Sequence, residues 1–173
     1  MAREDWSALV ASGSCQAFAN AHPHPFLLSL SGLIAPPPPP RTVRREDTTQ
    51  VAELRAVRRR RITPPDRKPA VLAVRKSQPT FSSMITVGRA GNNDIVVPDA
   101  LVSKFHAFFR LIDGEWLLAD AGSANGTKVG EVALVPKGAP EKVRPADKIT
   151  FGVSTFRFVD AAGLWAALHA PGK

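Results

Sequence analysis

The sequence predicts an all-β protein: an antiparallel β-sandwich of about ten or eleven short strands, with a short C-terminal helix and a basic, proline-rich N-terminal extension. Three observations lead there. From residue 70 onward, short apolar runs recur at close spacing, separated by Gly, Pro, Asn and Asp, with almost no helical periodicity between them. Asp113-Gly114 lies between two such runs and supplies the positive φ angles of a tight hairpin turn. The chain has 173 residues, 44% of them hydrophobic, which is room for one ordinary domain plus extensions and enough for a packed core.

Residues 1–35 form a first segment with a helical reading. Trp6, Leu9, Val10 and Phe18 have loose helical spacing over residues 6–20, weakened by Ser12, Gly13 and Ser14. His22-Pro23-His24-Pro25 follows. Two histidines so close can begin a metal site, but His106 and His169 are the only others, so a turn is the better reading and no metal or cofactor is expected. Phe26-Leu27-Leu28-Ser29-Leu30 is a short buried segment, either docked on the sandwich or self-associating. The sequence leaves both open.

Cys15 is the only cysteine, which excludes an intrachain disulfide and a thiolate zinc site and favours a reducing, cytoplasmic setting. Residues 9–15 faintly match a lipoprotein cleavage site, yet Glu4 and Asp5 stand where a signal peptide needs positive charge. The apolar stretch at 26–35 is about half the length of a membrane span. No membrane partner is expected.

Residues 36–69 read as a Pro/Arg-rich linker, partly helical or disordered. Five prolines at 36–40 favour a stiff polyproline spacer over an SH3-type ligand. Asp47 or Thr48 can cap a helix carrying Val51, Leu54 and Val57. Charge is uneven: residues 1–80 hold 13 Lys+Arg against 6 Asp+Glu, and residues 81–173 hold 10 against 9. Much of the excess sits in the run Arg58, Arg59, Arg60 and Arg61, which invites nucleic acid or an acidic partner. No aromatic residue interleaves with these arginines, so base stacking is not supported and a solvated arm is the plainer reading.

The sandwich is read over residues 70–160. Strands are expected at 70–74, 84–87, 94–97, 107–112, 115–119, 128–129, 131–135, 148–152 and 155–159. Leu164, Trp165 and Leu168 place one helix in the terminal segment 161–173. Three polar clusters fall between strands: Gly88-Arg89, Ser103-Lys104 with His106, and Ser123 with Asn125-Gly126-Thr127. They supply a guanidinium, a hydroxyl, an ammonium and an amide, all suited to an anion. Taken singly, each residue is ordinary for a loop. No paired carboxylates, nucleophile elbow, P-loop or metal set accompanies them, so no enzyme is expected. Asp94, Asp99 and Asp120 read as caps and loop residues.

In order and spacing, these clusters followed by Lys148-Ile149-Thr150-Phe151-Gly152 resemble the forkhead-associated (FHA) family, whose FHA/SMAD-like sandwiches bind phosphothreonine peptides. The resemblance covers about residues 70–160. It implies that Arg89 and Ser103 bind the phosphate with Lys104 as a further contact, and that Asn125 holds the peptide main chain. It makes Gly88, His106, Gly126 and Thr127 structural supports. Ala124 departs from the pattern, because the family often has a polar side chain there. At most one hydrogen bond is lost, worth roughly 1.5–3 kcal/mol to a charged group, and Ser123 or a backbone amide is the expected compensation.

The resemblance implies a phosphothreonine protein as partner, a Ser/Thr kinase upstream, and a monomeric, non-catalytic adaptor. Glu46-Asp47-Thr48-Thr49-Gln50-Val51 also resembles the phosphorylation motif of a bacterial FHA subgroup, in which the phosphorylated arm folds back into its own site. Thr48 and Thr49 are therefore candidate regulatory phosphosites, helix capping being the plainer alternative. About 20 residues separate Thr49 from the first expected strand, spanning ~25 Å if flexible. The alternative function is nucleic-acid or acidic-partner binding through the arginine run, with the sandwich as scaffold.

Overall fold

The hairpin expected around Asp113-Gly114 forms where the sequence places it. Ala107–Ile112 and Glu115–Asp120 pair antiparallel, with Asp113 at φ 51° and Gly114 at φ 78° closing the turn. Phe109 and Leu118 face each other across the pair, both fully buried. The computed structural model describes Trp6 and residues 14–30, 70–79 and 81–169. Those residues form α1 (Cys15–Ala21), β1 (Phe26–Ser29), β2 (Val71–Ala73), β3 (Ile85–Gly88), β4 (Ile95–Val96), β5 (Ala107–Ile112), β6 (Glu115–Asp120), β7 (Thr127–Val129), β8 (Val132–Ala133), β9 (Glu141–Val143), β10 (Lys148–Phe151), β11 (Ser154–Val159) and α2 (Ala161–His169).

The strands make two sheets, ordered β2-β1-β11-β10-β7-β8 and β4-β3-β5-β6-β9. The expected sandwich is thus present, with one departure: β3 and β4 run parallel. The chain between them doubles back, and Asp94 fastens its return by accepting the Thr86 N–H and hydroxyl at 2.8 and 3.0 Å. Between the sheets lie Leu27, Val87, Phe109, Leu118, Ile149, Phe151 and Phe158. β9 went unread in the sequence. Glu141-Lys142-Val143 is an edge strand with one buried apolar residue, too polar to signal itself.

The front segment shows what the sequence left open. Phe26–Ser29 is buried at all four positions because it is a strand between β11 and β2, with Phe26 opposite Val159 and Ala73. Leu27 points into the sandwich core, while Phe26 and Leu28 point into a second core with Trp6, Phe18, Val159, Ala161 and Leu164. A strand covered on both faces reads as an unbroken apolar run. Helices α1 and α2 form that outer layer. Ser14 caps α1 by accepting the Ala17 N–H at 3.2 Å. The rings of His22 and His24 pack in the same layer, 4.7 Å from Phe18 and Phe26 respectively.

The six-stranded sheet therefore takes a strand from residues 26–29 as well as from 70 onward. Residues 31–69 connect two neighbouring antiparallel strands, joined where Ser29 N–H meets the Ala70 carbonyl at 2.8 Å. The exit lies at the end of the sheet where β10 turns into β11, since Leu30 N–H bonds Thr155 O at 2.9 Å. The prolines at 36–40, Thr48, Thr49 and the arginine run lie outside the described residues. No helix among the described residues is long and apolar enough to cross a membrane.

Burial alone pushes the Asp94 carboxyl up, but Lys76 Nζ at 2.8 Å and the backbone N–H groups of Thr86, Ser77 and Gln78 hold it at about 2, against the ordinary 3.8. Its stabilisation is complete above the unfolded value and is lost as pH falls from about 4 toward 2, on the order of 2 kcal/mol in all. Asp94→Asn is expected to be destabilised by about that amount at pH 7. It should also lose less stability than the parent between pH 4 and pH 2, measured by urea unfolding. Parallel pH profiles in the two proteins would refute this.

Candidate functional site

Strands that alternate correctly leave their polar clusters at strand ends, and the topology brings three of these ends together. The loops are residues 89–94 between β3 and β4, 97–106 between β4 and β5, and 121–126 between β6 and β7. The first two touch at Gly88, where a Cβ would lie 2.2 Å from the Lys104 carbonyl oxygen. Only glycine permits that approach. Arg89 N–H donates to Ser103 O at 3.0 Å, and Asn93 Nδ2 donates to Lys104 O at 2.7 Å and to Ala90 O at 2.8 Å.

His106 joins the second loop to the third. Its fully buried ring accepts the Ser103 N–H at Nδ1, 3.0 Å away, and its Nε2 lies 3.1 Å from the Gly126 carbonyl. An accepting Nδ1 places the proton on Nε2, so the imidazole is the neutral Nε2–H tautomer donating to Gly126. Burial pushes its pKa down, outweighing the Gly126 carbonyl and the charges of Asp120 and Asp99. Gly126 O also accepts Gly152 N–H at 2.9 Å, which ties in the β10–β11 turn. Gly152 sits at φ 61°, with Leu101 O 2.6 Å from where a Cβ would stand.

Asp99 and Asp120 are the clamps of the second and third loops. Asp120 accepts Gly122 N–H, Ser123 N–H, Ser123 Oγ and Thr127 Oγ1 at 2.8, 2.8, 2.6 and 2.5 Å. Burial pushes its carboxyl up, and these four donors bring it below its ordinary value. Asp99 accepts Leu101 N–H at 2.9 Å and Ser154 Oγ at 2.6 Å. Sequence reasoning took both as turn residues and missed that they hold the loops. For Asp120 the signal present was Gly122, Ser123 and Thr127 close behind it; for Asp99 there was none, since Ser154 lies 55 positions on.

The residues that the sequence offers to an anion divide into two groups. Arg89 and Lys104 are exposed, and neither side chain has a hydrogen bond or ion pair among the described residues. Ser103 Oγ accepts the Ala124 N–H at 3.1 Å, and its own proton has no acceptor among the described residues. Asn125 donates Nδ2 to Leu101 O at 2.8 Å, which fixes the amide and leaves its carbonyl oxygen without a donor among the described residues. Ser123 differs from expectation. Its hydroxyl proton goes to Asp120, so it braces the loop instead of donating to an anion. The Ala124 N–H is likewise engaged, by Ser103 Oγ. Gly88, His106, Gly126 and Thr127 lie within the loop bracing.

Residues 85–152 match the family model of the FHA domain. The chain is 40% identical over 78 residues to an oxoglutarate dehydrogenase inhibitor of Corynebacterium glutamicum, covering 45% of this chain and 50% of that protein. It is 48% identical over 52 residues to the glycogen accumulation regulator GarA of Mycolicibacterium smegmatis, covering 30% of each. The chain spans about half the length of the first of these relatives and less of the second. Among solved structures it is similar to the N-terminal FHA domain from S. cerevisiae Rad53p in complex with a phosphothreonine peptide. That likeness has a TM-score of 0.48 and 19% identity, covering 83% of this chain and 98% of that one.

His106 is neutral in the folded chain, so below its ordinary 6.5 the unfolded chain binds a proton that the folded chain refuses. Stability is present above that pH and is lost as pH falls through it toward the lower folded value. The urea midpoint of the parent should drop more steeply below pH 6.5 than that of His106→Asn, which should be less stable at pH 7.5. Equal slopes would remove His106 as the titrating brace.

Proposed function

We infer that this chain, which carries an FHA domain at residues 85–152, is a non-catalytic phosphothreonine-peptide binding module acting as an adaptor in Ser/Thr kinase signalling. One observation carries the reading: two exposed cations without partners among the described residues, Arg89 and Lys104, share a loop cluster with a hydroxyl whose proton is left to donate. A phosphate brings nearly two negative charges and three acceptor oxygens, which such a set can use. A bare threonine hydroxyl leaves most of it idle. Arg89, Ser103 and Lys104 are the phosphate ligands in this reading, and Asn125 holds the main chain beside it. The loss at Ala124 lowers affinity by about one charged hydrogen bond.

Thr48 and Thr49 are proposed regulatory sites. Residues 31–69 leave and rejoin the sheet at the end that carries the β10–β11 turn, itself bonded to Gly126. A phosphorylated Thr48 or Thr49 therefore starts from the recognition end. Capture of nucleic acid or an acidic partner by the run Arg58 to Arg61 is the second reading, favoured by the concentration of charge in that segment.

Fluorescence anisotropy of a phosphothreonine peptide library against the full chain tests the first reading, each hit repeated with its unphosphorylated twin. Binding should need the phosphate, and Arg89→Ala should weaken it at least about tenfold. Binding that ignores both and collapses with salt would overturn the reading in favour of the arginine run. After kinase treatment, the parent should lose peptide binding while Thr48→Ala/Thr49→Ala keeps it. Equal loss in both would remove control in cis.

A further inference from the structure

Two demands of the recognition end meet on one dipeptide. An amide is needed at 125, because Asn125 Nδ2 donates to Leu101 O at 2.8 Å and ties the third loop to the second. A positive φ is needed at the next residue, where Gly126 stands at 76°. Crowding does not call for glycine there, since a Cβ would meet nothing within 4 Å. The backbone angle does. Asn-Gly is the result, and it occurs nowhere else in the chain. In such a pair the glycine nitrogen can attack the asparagine side-chain carbonyl, because no Cβ hinders its approach. Asparagine is a thermolabile residue. Three observations leave that route open here. Asn125 is exposed. The Gly126 N–H makes no hydrogen bond among the described residues, so no acceptor holds its proton. The open space beside the Gly126 Cα admits water. The other asparagines are placed differently. Asn20 precedes Ala21 in α1, and its Oδ1 accepts from Gln16 at 3.1 Å. Asn92 and Asn93 are followed by branched side chains, and Asn93 is buried with Nδ2 on two carbonyls.

We propose that Asn125 is a site of spontaneous deamidation, which converts the recognition end into a form that no longer holds a phosphorylated segment. The chemistry needs only water. The Gly126 nitrogen loses its proton to solvent base and bonds to Asn125 Cγ. The Cγ–Nδ2 bond breaks, and that nitrogen leaves as ammonia. Water then opens the cyclic imide, at Cγ to give aspartate or at the main-chain carbonyl to give isoaspartate. Asparagine and water thus become an acid and ammonia, and nothing is oxidised or reduced. Both products undo the site. A carboxylate has no N–H for Leu101 O, so two acceptors face each other. Its charge joins the cluster in which Arg89, Ser103 and Lys104 are read as phosphate ligands, and there it opposes a dianion. Isoaspartate also adds a methylene to the main chain. That draws the Gly126 carbonyl away from His106 Nε2 and Gly152 N–H, which lie 3.1 and 2.9 Å from it. The deamidation stands on the geometry alone, whereas its effect on binding rests on the phosphothreonine reading above. In that reading a peptide N–H donates to Asn125 Oδ1, so the amide is held at both its atoms and Cγ is shielded. An occupied site is preserved, and an idle one ages.

The test ages the full folded chain at neutral and mildly alkaline pH and follows its tryptic fragments by mass. Cleavage after Arg110 and Lys128 releases residues 111–128, in which Asn125 is the one asparagine. That fragment should gain the mass of deamidation and split into aspartate and isoaspartate forms, faster at the higher pH. Fragments carrying Asn20, Asn92 and Asn93 should stay intact. Isomerisation at Asp113-Gly114, in the same fragment, leaves the mass unchanged and is told apart by that. The fraction of protein that binds the tightest phosphothreonine peptide of the library should fall in step with conversion. Asn125→Asp should bind that peptide at least about tenfold more weakly than fresh parent. Held with the peptide at about ten times its Kd, the chain should convert about tenfold more slowly. Conversion in the urea-unfolded chain with none in the folded chain overturns the site, because the Leu101 and Gly126 contacts then close the route. Conversion with undiminished binding overturns the loss of recognition. Equal conversion with and without a peptide that binds overturns the place of Asn125 beside the ligand, and the preservation with it. Fresh parent that binds no phosphothreonine peptide overturns the phosphothreonine reading and the loss of recognition, while the mass record still decides the deamidation.

Discussion

A single neutral imidazole connects two loops that the chain separates by twenty positions. His106 accepts from Ser103 on one side and donates to Gly126 on the other, and only the Nε2–H tautomer does both. Ser103 then accepts the Ala124 N–H, Asn125 is fixed on Leu101 O, and Gly126 takes up Gly152. Remove that ring, and Ser103 and Asn125 lose their common reference. Its burial between the sheets is thus a condition of the site as well as of the core.

The rest of the fold reads as the means of keeping such loops still without covering them. Polar groups at the recognition end are satisfied inward, by Asp99 and Asp120, which accept from Leu101, Ser154, Gly122, Ser123 and Thr127. Among the described residues, Arg89, Lys104 and the Ser103 hydroxyl proton are what remain. Apolar cover is supplied elsewhere. The two helices pack on the outer face of β1, β2 and β11 and carry the second core there. Among the described residues no helix covers the outer face of the other sheet, where Phe105 stacks between Phe81 and Phe108.

Much of this was legible early. The β5–β6 hairpin announced itself through Asp113-Gly114, and Gly88, Arg89, Ser103, His106 and Asn125 stood out by residue type and order. What was not legible depended on partners distant in sequence. Asp99 looked like an ordinary loop residue because its partner Ser154 lies 55 positions further on. Phe26–Ser29 looked ambiguous because a strand buried on both faces has no alternation to display. β9 was missed because an edge strand needs few apolar residues. Phe81 and Phe105 sit among turn residues with no periodicity, and their stacking exists only once β3 and β5 are paired.

The sequence by itself determined the strand-rich class, the hairpin turns, the uneven charge and the residue types available to meet an anion, because these follow from side-chain chemistry and nearest-neighbour backbone preference. Only the tertiary structure decided which donors remain free, which tautomer His106 holds, and that residues 26–29 pair beside a strand more than 40 positions later. Hydrogen bonds and strand pairing are satisfied in space. A linear pattern can name the groups that need partners, but the fold alone assigns them.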